Sequence, residues 1–120
     1  MREKLRKYVR VLRIELEDLA EDLNIMADLY AQRERRNEIT DYVFLGNVSL
    51  LKSEMSGIET VIRSIDEVPV ERFGSLDALV DYMDRLFRMR TMHAGYPEAV
   101  YSLVKRKLSK VSQYIQSIDE

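Results

Sequence analysis

The chain has no cysteine and a single histidine, His93. The first absence excludes a disulfide framework, thiolate metal sites and thiol catalysis, and the second excludes the multi-histidine metal cages found inside helical bundles. Neither a metal nor a cofactor is expected. Gly46, Gly57, Gly74 and Gly95 are too dispersed to cradle a phosphate, and neither Ser75 nor Ser102 has a histidine at triad spacing. No segment carries the period-two alternation of a strand. No apolar run approaches the roughly 18 residues that a bilayer crossing needs. The basic residues Arg2, Lys4, Arg6, Lys7, Arg10 and Arg13 are interleaved with apolar ones at helical spacing and do not precede a signal-peptide block. A soluble, cytoplasmic chain with no membrane contact is expected. Nineteen basic and twenty-one acidic residues leave a net charge of −2, so any contact with nucleic acid must be local.

What the sequence does have is helical periodicity. Leu5, Val9, Leu12, Leu16, Leu19, Leu23, Met26 and Tyr30 alternate steps of four and three, which predicts one long helix over about 2 to 33. Val11, Ile14, Ile25 and Leu29 lie off this seam and predict a wider buried stripe, touching two neighbours. The polar stretch Gln32 to Glu38 reads as the first connection. Phe44, Val48, Leu51, Met55, Ile58, Ile62 and Ile65 then mark a second long helix. It is flanked by a ribbon of small residues, Gly46, Ser49, Ser53, Ser56 or Gly57, and Thr60, suited either to close packing within the chain or to a homodimer face.

Val68-Pro69-Val70 cannot continue a helix. Ser75 is a natural N-cap for a third helix over about 75 to 92, Gly95 suits its stop, and Pro97 suits the first position of a fourth. The fourth seam reads Tyr101, Val104, Leu108, Val111, Ile115 and Ile118. Together these predict an all-α, single-domain fold over residues 1–120: an antiparallel bundle of four principal helices, the first two long.

Charge is segregated along the chain. Glu15, Glu17, Asp18, Glu21, Asp22 and Asp28 make the middle of the first helix acidic, whereas Arg85, Arg88, Arg90, Lys105, Arg106, Lys107 and Lys110 make the third and fourth helices basic. The basic group suits either a phosphate backbone or pairing with the acidic helix. His93 is the one side chain fit for proton transfer near neutral pH, and Arg88 stands five positions before it. A guanidinium that binds phosphate oxygens beside an imidazole that moves a proton suits a phosphodiester without a metal. A bare helix-end histidine facing the negative end of its helix dipole would need no function at all.

The pattern Arg-x-x-x-x-His in Phe87-Arg88-Met89-Arg90-Thr91-Met92-His93, followed by Tyr96 and a final amphipathic helix, resembles the signature of the HEPN (higher eukaryotes and prokaryotes nucleotide-binding) domain family. That resemblance implies a helical RNA-binding domain, dimeric, often a metal-independent ribonuclease acting as a toxin and partnered by a nucleotidyltransferase antitoxin. It implies Arg88, binding phosphate, and His93 as catalytic residues; Arg85, Arg90 and Lys105 of the basic group, with Tyr96, are the expected substrate contacts. A histidine phosphotransfer domain is the less fitting comparison, because Tyr96 and Pro97 stand where a lysine and a glycine would follow the histidine. The competing reading is a non-catalytic interaction or adaptor module that works through a dimer or a partner helix.

Overall fold

The computed structural model describes residues 2–118. Four helices follow one another: α1 (Arg2–Arg35), α2 (Asp41–Ile65), α3 (Leu76–His93) and α4 (Glu98–Ile118), with a single 3₁₀ turn at Val70–Arg72 and no strand among the described residues. The expected all-α bundle with two long leading helices is what forms. Residues 1, 119 and 120 of the expected domain lie outside the described ones.

The helix ends follow from local chemistry. α1 continues through Arg35, two residues past its expected end, so Gln32 to Arg35 of the expected connection are helical, and it stops where Asn37 takes a left-handed conformation at φ 59°. The Asn37 amide donates to the Glu34 carbonyl and the Glu38 amide to the Arg33 carbonyl, so two carbonyls that the helix itself leaves open are satisfied. α3 ends with the same pair of bonds: Gly95, at φ 74°, donates to Met92, and Tyr96 donates to Thr91. At the opposite ends, Thr40 and Ser75 accept from the amides of Val43 and Ala78. Pro97 falls just before the first helical residue of α4, and its carbonyl accepts from the Val100 amide.

The core lies where all four helices run together. Leu5, Tyr8, Leu12 and Leu16 of α1 are fully buried against Ile58 and Val61 of α2, Leu79, Met83 and Phe87 of α3, and Val100, Val104 and Ile115 of α4. Leu5, Leu12, Leu16, Ile58, Val104 and Ile115 lie on the predicted seams, whereas Tyr8, Val61 and Val100 are buried beside them. The Tyr8 hydroxyl, inside the apolar core, donates to the Leu108 carbonyl at 2.9 Å. Burial, and then the charge of Asp84, push its ionisation well above the usual 10.0. Ion pairs ring this half of the molecule: Glu15 is held by both Lys107 and Lys110 at 3.1 Å, Arg6 pairs with Glu71, and Arg13 with Asp66. Part of the basic charge on α4 is thus paired with the acidic helix.

The other half of the molecule is built differently. At 1.5 Å per residue α1 is about 51 Å long, whereas α3 and α4 reach only about 27 and about 32 Å. The longest dimension of the molecule, 55 Å, is therefore that of the α1–α2 hairpin, half of which projects beyond the bundle. The expected wide stripe on α1 does not become buried: Ile14 is exposed on the outside of the four-helix half, and in the projecting half Ile25 and Leu29 are exposed, as is Met26, a seam position. Only α2 is alongside to cover them.

Replacing Tyr8 by Phe is expected to lower stability by about 1 kcal/mol at about pH 7. Because the folded state holds the Tyr8 phenol neutral, its contribution is complete below pH ~10 and is lost as pH rises further, when the unfolded phenol ionises and the folded one does not. Urea titrations at about pH 7 and about pH 11 should show a smaller alkaline loss for Tyr8→Phe than for the parent chain.

Candidate functional site

The α3–α4 junction carries the predicted site residues, and it is a fixed corner. After the left-handed turn at Gly95, the Tyr96 side chain crosses to α2, where its hydroxyl and Thr60 Oγ1 lie 3.0 Å apart. Beneath it, Gly57 permits a close approach: a Cβ there would stand 2.8 Å from both methyls of Val100 and 3.2 Å from the Tyr96 ring. The small-residue ribbon thus serves packing within the chain at its lower end. At its upper end Gly46 has nothing within 4 Å of the place its Cβ would occupy.

Between α3 and α4 lies a cavity of about 300 Å³, lined by Arg88, Thr91, Met92, Tyr96, Tyr101 and Ser102 among others. Arg88 is exposed, and its guanidinium carbon sits 5.8 Å from the centre of the Tyr101 ring. The Tyr101 hydroxyl donates to Asp84 at 2.6 Å. Burial, that hydrogen bond and the Asp84 charge push its ionisation up, with Arg88 acting in the opposite sense. The result is an anchored aromatic floor with an exposed cation above it.

His93 is the last residue of α3 and is also exposed, but it is not among the residues lining this cavity. Five residues along a helix turn the side chain by about 140°, so Arg88 and His93 leave α3 on different sides. The other expected contacts are dispersed as well. Arg85 pairs with Asp81 one turn earlier, and Arg90 reaches Glu67 beyond the end of α2 at 2.7 Å. Lys105 lines a separate basic groove along α4 with Ser102, Arg106 and Lys110. The fold brings Arg88 and Tyr96 into one cavity and leaves His93, Arg85, Arg90 and Lys105 outside it. Tyr101, which lies beneath Arg88, and Asp84, which holds Tyr101, are site residues that the sequence reading misses. The spacing of Asp84 and Arg88, four apart on one helix face, was the available signal. No group of histidine, cysteine and acidic side chains suited to a metal occurs among the described residues.

The two glycines of α2 offer a paired test of this corner. Gly57→Ala must displace Val100, a fully buried β-branched side chain, and should cost about 1–3 kcal/mol despite alanine's helix preference of about 1 kcal/mol. Gly46→Ala meets no atom and should stabilise by about 0.5–1 kcal/mol. Denaturation midpoints of the two variants should therefore move in opposite directions.

Comparison with known protein families, curated proteins and solved structures finds no match to this chain.

Proposed function

We propose that this chain is a non-catalytic helical interaction module whose working surface is the uncovered half of the α1–α2 hairpin. The observation that carries this reading is the exposure of large apolar side chains on both helices beyond the bundle. Met26 and Leu29 of α1 are 44% and 52% exposed, and Leu50 of α2 is 50% exposed. Met26, Leu29, Tyr30 and Arg33 also line a shallow groove of about 180 Å³. Scattered single apolar residues need no explanation, but a cluster on one end of a small chain marks an interaction surface. Met26, Leu29 and Leu50 take no part in the hydrophobic core.

The test separates folding from association. Leu29→Glu and Leu50→Glu should leave the thermal midpoint within a few degrees of the parent, because exposed positions carry little stability. They should also abolish the binding of an apolar fluorescent dye or any self-association seen by sedimentation. A parent chain that sediments as a strict monomer and binds no such dye would overturn the reading.

A second reading, in which the chain is a HEPN-like RNA-contacting component of a toxin–antitoxin pair, is favoured by Arg88, an exposed guanidinium held over Tyr101 beside the basic strip of α4. In this reading Arg88 binds phosphate and His93 moves the proton, with the second copy of a dimer supplying the other half of the cleft. RNA incubated with the protein in chelator should be cut, and Arg88→Ala or His93→Ala should abolish cutting without loss of helicity. Intact RNA, or cutting by both variants at the parent rate, would contradict it.

A further inference from the structure

The apolar cluster is part of a longer pattern on α1. Asp18, Asp22, Met26, Leu29 and Arg33 follow one another at steps of four, four, three and four along a single face of α1, and Arg36, three residues further, stands in the turn just past the helix end. All six are exposed. None of the four charged members makes an ion pair among the described residues, in contrast to Glu15, which is gripped by two lysines. Read from the N-terminal end, the stripe is acidic, then apolar, then basic.

This order is its own complement when reversed. A two-fold axis requires one surface patch to match itself in the opposite direction. With the axis between residues 27 and 28, Met26 of each copy faces Leu29 of the other, Asp22 faces Arg33, and Asp18 faces the turn carrying Arg36. A parallel alignment would instead set aspartate on aspartate and arginine on arginine, which is disfavoured. A different protein would have no reason to require this internal symmetry.

The second helix supplies the rest of the surface. Val43 and Leu50 are exposed and stand fourteen and seven residues before Gly57, so they continue the face of α2 that meets Val100 and Tyr96 lower down. On α1, Asp22 stands seven residues after Glu15 and continues the face that α4 covers. The projecting hairpin therefore continues, without an occupant, the face of α1 and α2 that α4 and its lead-in fill in the other half.

The area exposed fits one further copy. A compact monomer of 14.2 kDa has an accessible surface of about 6,800 Å². This molecule exposes 7666 Å². The excess is about 900 Å², close to the ~800 Å² per partner of a standard stable interface.

We infer that the projecting half of the α1–α2 hairpin is a self-association surface, on which the hairpin of a second copy lies antiparallel so that α1 and α2 of both copies close a second four-helix layer. This inference rests on the interaction-module reading and adds the identity of the partner and the register.

Sedimentation of the parent chain should show a dimer. Asp22→Arg and Arg33→Asp should each weaken it by about tenfold or more, and the double variant Asp22→Arg/Arg33→Asp should recover it, because every pair is restored with its signs exchanged. The chain has no cysteine, so an introduced one is unique. Met26→Cys, with the two copies offset by only about 4.5 Å along the axis, should form an interchain disulfide on oxidation, and Asp18→Cys, offset by about 28 Å, should not. A dimer dissociated by Leu29→Glu but showing no recovery in the double variant, or cross-linking equally at positions 18 and 26, would overturn the antiparallel register while leaving the module intact. A monomeric parent whose apolar dye binding is lost in Leu29→Glu would overturn the second copy as the partner, again leaving the module. A monomer without dye binding would overturn both.

Discussion

A helix of 34 residues cannot be covered by partners of 18 and 21, and most of what distinguishes this molecule follows from that mismatch of lengths. In the half where α3 and α4 lie against the hairpin, apolar side chains from four helices meet and are sealed from water. In the other half, two helices have only each other. Leu23, Ala27, Val48 and Leu51 are buried between them, and the outer faces stay open. A radius of gyration of 16.7 Å, against about 14 Å for a compact chain of 120 residues, expresses the same division.

The closed half is held in register by directional contacts as well as by burial. The Tyr8 hydroxyl finds the Leu108 carbonyl, and Glu15 finds two lysines on successive turns of α4, so α4 is fixed along α1 as well as against it. Those lysine contacts hold the Glu15 carboxyl below its ordinary range. The Gly57 contact with Val100 and the bond between Tyr96 and Thr60 then set where α4 begins. Because α4 begins there, the faces of α1 and α2 beyond that level have no cover, and the stripe from Asp18 to Arg36 is left outward. The interaction surface is a consequence of where one tight corner is placed.

Much of this was legible in the residues. The seams named most of the core, Ser75 marked the start of α3, and Gly95 its end, since those signals are local and rest on single side chains or single backbone angles. α1 ends two residues past the expected position near 33 because the signal there is Asn37, whose left-handed conformation closes the helix five residues beyond Tyr30, the last apolar residue of the seam. Met26 shows a different limit. Its spacing states which side of α1 it occupies, but whether that side is covered depends on the lengths and placement of α3 and α4. The neighbourhood of Arg88 was hidden for a related reason: its contact with Tyr101, and the bond from Tyr101 to Asp84, cross between helices, whereas the count of five residues to His93 describes only one. That count also marked a pair of residues whose side chains diverge around the helix.

The division of the molecule into a closed and an open half is tested most directly by amide hydrogen exchange along α1 and α2 as protein concentration is varied. Amides of residues 5–16 and 58–65 should be strongly protected at every concentration, since global unfolding is needed to expose them. Amides of residues 22–35 and 41–56 should exchange quickly in dilute solution and slow as concentration rises. Equal protection of both halves at every dilution would contradict the account.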